Sequence, residues 1–474
     1  MKKILLSCMI FFLSLNAIAQ PSDKYILSLM KGQHLPGLAI LIIKDGKWAW
    51  YRNWGFANLS DSAHVKLNTV FMMASVSKTM TETALMQLWE KGKFKLDDDI
   101  SKYLPFKVTN PYFPSTPITF RMVMAHVSSI KDNDTLSPLG YYEHDCPISL
   151  DTLMYDYFIP GRKYYSKPKN FYNYAPGSTY NYSNVGAALL GYLVQRISGT
   201  PFDKYCKTHI FDSLCMDNSS WFLSGISDTT LIARPYSWSA GYTDNGLYGY
   251  ADYPCGQLRT TITDMAKYEY MYLNHGLYNG VRILDSATVD TMLAQQFSAS
   301  TGTWGQGLIF YQSYMNNGDT MYGHGGGDFG VSTELQFNYN HKIGLLMFSN
   351  GDGFNAGVDT LWDTIYNYAL SLAVLPADTF PTCNIAAGIR GIYTNTAFSV
   401  SAFPNPASAR CYVDITGLTE KGILQVTDLL GQVILSMPLT PQTEKYDLNT
   451  SLWRQGVYIL TVNGSMNRKL VIVR

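Results

Sequence analysis

The residues best suited to chemistry are a serine and a lysine three positions apart, Ser75 and Lys78. They begin a run whose apolar residues recur at helical spacing, so both side chains are expected on one helix face. At the positive end of a helix, free backbone N–H groups stabilise the negative charge that develops around a nucleophile. The dipole and partial burial are expected to lower the pKa of Lys78, which would let it take the proton of Ser75.

Taken alone, this pair is also typical of an ordinary helix start. A serine often caps the first turn, and a lysine three positions later often lies in solvent. The predicted helix has its apolar stripe at Met80, Ala84, Leu85, Leu88 and Trp89, and Gly92 is its expected end. The rest of the chain must therefore decide between the two interpretations.

Two further segments could complete an acyl-transfer site. Tyr182 and Asn184 flank Ser183 just before a second apolar helix, where both can point to the same side as proton shuttle and hydrogen-bonding group. His324-Gly325-Gly326 lies in a strand-like segment, and its glycines let a substrate backbone approach the strand edge.

The elements that must position these residues follow one another in a clear order. Two apolar runs flank Asp45-Gly46, which predicts a β-hairpin. Helices are predicted at 119–130, 185–197, 262–275 and 357–373, strands between 303 and 349, and surface loop over the Tyr-rich stretch 137–182. A hairpin, then helices, then antiparallel strands predicts an α+β domain, an antiparallel sheet flanked by helices with an additional helical region.

Composition excludes several classes of function. The 474 residues have a formal net charge of zero and no basic block, which argues against nucleic acid as a partner. Residues 1–20 have the basic start, apolar run and small-residue cleavage site of a secretory signal, and no other run is long enough to span a bilayer. Among the scattered cysteines, Cys206 and Cys215 are the best candidates for a disulfide.

The ordered set of motifs resembles one family, the serine hydrolases that include class C β-lactamases, DD-peptidases and related esterases. The resemblance covers residues 30–370 and includes the hairpin, the segment around Ser75 and Lys78, YNYSNVGAALLGYLVQRISG, GQLRTTITDMAKY and GHGGGDFG. Each motif alone is weak, but their order is specific. No Gly-x-Ser-x-Gly and no His-Glu-x-x-His occurs, so the α/β-hydrolase and zincin families lack their defining motifs here.

The resemblance implies a role for each site residue. Ser75 would be the acyl-enzyme nucleophile, Lys78 its activating partner and Tyr182 the general acid/base. Asn184 would hold Lys78 and the substrate amide. The oxyanion hole would consist of the N–H groups of Ser75 and Gly327.

The substrate is then a small molecule or peptide with an amide or ester carbonyl, and no metal or organic cofactor is implied. His324 stands where β-lactamases of the family usually have lysine and some DD-peptidases have histidine, which favours a peptidase, amidase or esterase. A class C-like β-lactamase and a catalytically silent surface binding protein remain the alternatives. Ser129 replaces a common glycine of the family, a change expected to be tolerated.

The C-terminal region has a different composition. Short predicted strands such as CYVDI, ILQVTD and GVYILTV follow a segment without periodicity. Together with FPNPA and the terminal KLVIVR they resemble the sorting domain of the type IX secretion system, which implies the secretion machinery as partner and a cell-surface or secreted location. The expected organisation is a signal at 1–20, a hydrolase domain at 21–375, a linker at 376–398 and an immunoglobulin-like β-sandwich at 399–474.

Overall fold

The computed structural model describes residues 20–133, 142–353, 358–372, 399–403, 405, 407–416, 422–428, 433–440, 445–462 and 466–473. The described residues up to 372 belong to one compact unit and those from 399 onward to another. Residues 1–19 of the predicted signal and the whole predicted linker lie outside the described residues.

The first unit contains these α-helices: α1 Asp23–Gly32, α2 Ser77–Glu90, α3 Phe120–Met124, α4 Leu150–Phe158, α5 Lys167–Asn170, α6 Asn184–Ser198, α7 Phe202–Cys206, α8 Asp212–Leu214, α9 Ile262–Leu273, α10 Ser286–Leu293 and α11 Val358–Ser371. Its strands are β1 Gly37–Lys44, β2 Lys47–Asn58, β3 Ala63–His64, β4 Val70–Met72, β5 Tyr236–Trp238, β6 Tyr242–Asp244, β7 Arg259–Thr261, β8 Leu277–Tyr278, β9 Val281–Arg282, β10 Tyr311–Tyr314, β11 Thr320–Asp328, β12 Val331–Asn338 and β13 Ile343–Ser349.

A seven-stranded sheet in the order β10-β11-β12-β13-β1-β2-β3 forms the centre of this unit, and its neighbouring strands are antiparallel. The Asp45-Gly46 turn between β1 and β2 has positive φ at both residues, as a tight hairpin requires, so the predicted hairpin is confirmed. The predicted α+β class is confirmed as well.

The central strand β1 is buried on both faces, which explains its nearly continuous apolar sequence. One face contributes Ala39, Leu41 and Ile43 to a core shared with α2, α6 and α9, and the other contributes Leu38, Ile40 and Ile42 to a core with α1 and α11. The sheet is therefore covered by helices on both sides.

Two sequence-based expectations need correction here. Helix α2 is buried around most of its circumference, including Glu82, rather than along one stripe. The stretch 137–182 is not all surface loop, because α4 packs five residues into the core: Leu150, Leu153, Met154, Tyr157 and Phe158. Five apolar side chains in nine residues fit a helix turned against a core, a pattern that the surrounding tyrosines and prolines conceal.

The predicted disulfide between Cys206 and Cys215 is wrong. Cys206 is a buried free thiol, whereas Cys215 is disulfide-bonded. Short spacing along the chain does not bring the two sulfur atoms together, since a disulfide depends on how the Cβ atoms are oriented.

The C-terminal unit consists of two small antiparallel sheets. One has the order β14-β15-β18 and the other β17-β16-β19-β20, with β14 Ser399–Phe403, β15 Arg410–Thr416, β16 Gly422–Asp428, β17 Val433–Leu439, β18 Lys445–Asn449, β19 Gly456–Val462 and β20 Met466–Ile472. Apolar side chains from both sheets share one core, among them Val413, Leu424 and Leu460. The predicted strands are present, and the immunoglobulin-like classification stays a prediction.

Candidate active site

Ser75 lies in a single 3₁₀ turn, Ala74–Val76, immediately before helix α2. The turn is fixed on two sides through Met73, whose N–H donates to the Leu258 carbonyl at 2.8 Å and whose carbonyl accepts from Thr333 Oγ1 at 2.7 Å. Ala74 has a φ of 44°, so the chain turns sharply just before the serine. The serine is thereby held at the helix N-terminus next to the main sheet.

Lys78 is completely buried, and its ammonium group contacts three acceptors. Nζ donates to Ser75 Oγ at 3.0 Å, to Asn184 Oδ1 at 2.8 Å and to the Cys255 carbonyl at 2.7 Å. An ammonium group has three N–H donors. Each of the three therefore has a partner, and one of the partners is the predicted nucleophile.

The expected fall in the pKa of Lys78 is wrong in direction. Burial acts to lower it, but electrostatic interactions with Tyr182, Cys255 and Asp132 and a hydrogen bond with Tyr182 together raise the pKa of Lys78 above its ordinary value. The prediction considered the helix dipole and burial only. In this resting site Lys78 is a cation.

Tyr182 lies directly above this cation. Lys78 Nζ is 4.8 Å from the centroid of the tyrosine ring, and 36% of the Tyr182 surface is exposed. The His126 ring packs against it with 4.4 Å between centroids, and the His324 ring is 6.3 Å away. The phenol thus stands between the buried lysine and the open side of the site.

Asn184 is the first residue of α6, and Asp132 fixes the start of that helix. The Asp132 carboxylate accepts from Ser183 Oγ at 2.9 Å and from the N–H groups of Asn184 at 2.8 Å and Val185 at 3.0 Å. A carboxylate at a helix N-terminus satisfies free N–H groups and complements the dipole. Asp132 therefore orients the amide that contacts Lys78.

His324 is buried and neutral. Burial, and secondarily the charge of Lys78, lower the pKa of His324 to about 3. Its Nδ1 is 2.6 Å from the Gly325 carbonyl oxygen, which can only accept, so the proton lies on Nδ1 and the lone pair on Nε2. The structure thus gives this histidine no positive charge with which to hold a carboxylate.

The glycines after His324 allow β11 to approach the nucleophile closely. A Cβ on Gly326 would lie 2.5 Å from the Met73 carbonyl oxygen and 3.1 Å from the Ser75 amide nitrogen. Gly325 donates its N–H to Tyr311 Oη at 2.8 Å on the side of β11 away from β12. N–H directions alternate along a strand, so the Gly327 N–H points to the same side.

The structure brings the predicted site residues together around Ser75, and it adds three groups that sequence reasoning missed. These are the Cys255 carbonyl, the Asp132 carboxylate and the Tyr311 phenol. A backbone carbonyl leaves no trace in residue type, and the phenol belongs to a separate strand. Asp132 had one usable signal, since aspartate is a common N-terminal partner of helices, but nothing in the sequence links it to residue 184.

Comparison with known proteins identifies the family. The beta-lactamase family model matches residues 23–370. The chain belongs to this family. A relative in Dictyostelium discoideum, "Beta-lactamase-like protein 2", is 28% identical over 310 residues, which are 64% of this chain and 50% of that protein. The matched region is thus half the length of that relative.

Two solved structures share the fold. The octameric penicillin-binding protein homologue of Pyrococcus abyssi has a TM-score of 0.61 and 19% identity, over 94% of this chain and 98% of that one. The D-amino acid amidase of Ochrobactrum anthropi has a TM-score of 0.59 and 19% identity, over 72% and 97%. At this identity the likeness concerns the fold.

The C-terminal unit matches a secretion system C-terminal sorting domain over residues 401–473. This match indicates export through the type IX system to the cell surface or beyond. Within the described ranges, no helix has the length and apolar character needed to cross a membrane.

Proposed function

We propose that this protein is a secreted serine hydrolase that forms an acyl-enzyme on Ser75. The observation that carries the proposal is the 3.0 Å hydrogen bond from the buried Lys78 ammonium to Ser75 Oγ. A buried charge is costly unless it is paired and hydrogen-bonded. The Lys78 ammonium contacts a partly exposed serine just before the N-terminus of helix α2, which supports a catalytic role for the pair.

The geometry favours Tyr182, with Lys78 as a fixed charge, for the proton transfer. Because the Lys78 ammonium group has no lone pair, the serine hydroxyl needs another acceptor for its proton. As Ser75 Oγ bonds to the substrate carbonyl carbon, its proton would pass to the Tyr182 oxygen. For this step Tyr182 would act as a phenolate, whose negative charge the Lys78 ammonium 4.8 Å from the ring centroid would stabilise. The N–H groups of Ser75 and Gly327 would bind the oxyanion.

Collapse of the tetrahedral intermediate would return that proton from Tyr182 to the leaving group. The carbon–nitrogen or carbon–oxygen bond of the substrate breaks, and the acyl group stays on Ser75. Water then attacks the ester with Tyr182 again as base, which releases the acid and restores the serine.

For the substrate we propose an amide or ester of the DD-peptidase, amidase or esterase type. His324 carries no charge near neutral pH because the pKa is about 3, so it lacks the cation that would anchor the carboxylate of a β-lactam. The penicillin-binding and amidase neighbours support this choice at the level of the fold.

A substrate panel tests the proposal. Purified protein is assayed with D-Ala-D-Ala peptides, short-chain nitrophenyl esters and nitrocefin, in parallel with Ser75→Ala. We expect turnover of a peptide or ester that Ser75→Ala reduces by at least about 10⁴-fold. Nitrocefin as the preferred substrate would contradict the substrate assignment, and turnover that persists in Ser75→Ala would contradict the mechanism.

A further inference from the structure

A glutamate carboxylate lies beside the strand that borders the site. Glu334 on β12 is opposite Gly325 on β11. A Cβ added to Gly325 would be 2.6 Å from Glu334 Oε1 and 3.2 Å from Oε2. The carboxylate therefore takes the space that a side chain at position 325 would need. Along β11, position 325 is one residue from His324 and two from Gly327.

The carboxylate is held in place by its neighbours. Gln336 Nε2 donates to Glu334 Oε2 at 3.3 Å. The other amide atom, Gln336 Oε1, accepts from Ser313 Oγ at 2.9 Å and from Trp362 Nε1 at 3.1 Å. Because Gln336 is buried and bonded on both sides, it fixes the direction of the glutamate.

The position of Glu334 relative to the chemistry follows from the strand. The Gly325 and Gly327 N–H groups point to the same open side of β11, and two residues of a strand span about 7 Å. Tyr311, whose phenol accepts from the Gly325 N–H, is close enough to feel the carboxylate: burial, and next the charge of Glu334, raise the pKa of that phenol. Negative charge is thus present beside Gly325 of β11 and near the Tyr311 phenol.

Among the described residues, three groups that could attract an anion are already engaged or neutral. Lys78 has its donors on Ser75, Asn184 and a backbone carbonyl, and His324 Nε2 is an acceptor. The buried guanidinium of Arg259, on the strand beside Met72, donates to the carbonyls of Gln257 and Tyr248.

We propose that Glu334 makes this a site for substrates with a free amine near the scissile carbonyl, and that it disfavours substrates with a carboxylate there. This inference rests on the proposed function. An ammonium on the substrate would form a charge-assisted hydrogen bond with the carboxylate at the edge of β11, whereas a carboxylate would meet like charge. The preferred substrates are then amino acid amides, amino acid esters or peptides with an unblocked amino end.

The test is protection of Ser75 from a fluorophosphonate, a readout that needs no turnover. Labelling rates are measured with D- and L-alanine amide, with their N-acetyl derivatives and with their N-succinyl derivatives. We expect a free-amine amide to protect at about tenfold lower concentration than its acetylated partner, a difference of about 1.4 kcal/mol, and the succinyl compound to be weakest. Glu334→Gln should reduce the amine preference to about threefold or less.

Asp290→Asn serves as the matched control, since it removes one negative charge from an exposed position on α10. It should keep the amine preference. Equal or better protection by the acetyl or succinyl compounds, no protection by any of them, or an unchanged preference in Glu334→Gln would each overturn this inference while leaving Ser75 labelling intact. Failure of Ser75 to label at all would instead contradict the proposed function.

Discussion

The catalytic proposal depends on how one ammonium group distributes its hydrogen bonds. Lys78 Nζ is 2.7–3.0 Å from three oxygen acceptors, and its pKa is raised despite complete burial. A lysine bonded in this way is a poor proton acceptor but an effective positive charge. At the residue scale this supports the proposal that Tyr182 carries out the proton transfer.

Removing the Tyr182 hydroxyl tests that assignment. Tyr182→Phe keeps the ring above Lys78 but removes the proposed base, so acylation of Ser75 should slow by about 10²–10⁴-fold, the usual contribution of general base catalysis. Stopped-flow or timed fluorophosphonate labelling measures the rate. The control variant Tyr180→Phe, two residues earlier, should label at the wild-type rate. A wild-type rate in Tyr182→Phe would contradict the assignment of Tyr182 as the base and would favour Lys78 instead.

The buried neutral His324 predicts how stability depends on pH. Its pKa is about 3 in the folded protein and about 6.5 unfolded, so between these values the unfolded chain binds one more proton. The contribution of neutral His324 to the free energy of unfolding is therefore fully present above pH 6.5. It decreases as the pH is lowered, by at most about 1.4 kcal/mol per pH unit for this group. His324→Gln should make urea-unfolding free energies less steep between pH 6 and 4.

The exposed His64 provides the comparison, and His64→Gln should leave that pH dependence as in the wild type. Equal slopes for His324→Gln and wild type would show that His324 is protonated in the folded protein.

At the scale of elements, three pieces of backbone meet around the nucleophile: the turn before α2, the start of α6 and the edge of β11. Identified contacts hold each of them in place. Asp132 binds the N-terminus of α6, Met73 fixes the turn, and Gly326 lets the strand approach. Changes to these contacts should affect activity through position.

Asp132→Ala should weaken the α6 start and displace Asn184. We expect a loss of about 1 kcal/mol in stability, the usual value for an N-terminal cap, together with a clear drop in the Ser75 labelling rate. Ser149→Ala removes a comparable cap, the Ser149 hydroxyl that accepts from the Thr152 N–H at the start of α4. That control should lose similar stability in chemical denaturation yet label normally; equal labelling in both variants would contradict a positioning role for Asp132.

Gly326→Ala should separate the strand from the nucleophile. The new methyl group would meet the Met73 carbonyl at 2.5 Å and the Ser75 amide nitrogen at 3.1 Å, so β11 or the turn must move. We expect labelling to fall by at least tenfold while the circular dichroism spectrum stays native. Gly32→Ala, where a Cβ meets no atom within 4 Å, should match wild type, and normal labelling in Gly326→Ala would contradict the close approach.

Much of the fold could be predicted from local sequence patterns. The Asp45-Gly46 turn, the helix after Ser75 and the strands around His324 are all encoded by residues close in sequence. The pKa of Lys78 was mispredicted because Tyr182, Asp132 and Cys255 reach it from other parts of the chain. For the same reason, the sequence did not indicate that Glu334 lies beside Gly325. The two residues become neighbours only through the pairing of β12 with β11.

At the scale of the whole molecule, a beta-lactamase family domain is joined to a sorting domain with its own apolar core. Separate compact units are expected to carry separate functions. The first unit would catalyse the reaction, and the second would be the signal that the secretion system recognises.

Deleting residues 399–474 in the producing cell tests this division. We expect the shortened protein to remain inside the outer membrane and to keep a labelled Ser75, because the site lies wholly in the first unit. Cell fractionation with gel fluorescence measures both properties. Secretion at the wild-type level would contradict a sorting function of the second unit. Loss of labelling in soluble, folded protein would show that the site depends on the second unit.

The most direct test of the central claim is intact-protein mass spectrometry after fluorophosphonate treatment, with peptide mapping of the adduct. We predict a single adduct on Ser75, complete loss of that adduct in Ser75→Ala, and normal labelling in the exposed-serine control Ser60→Ala. An adduct on another residue, or persistent labelling in Ser75→Ala, would contradict the assignment of Ser75 as the nucleophile.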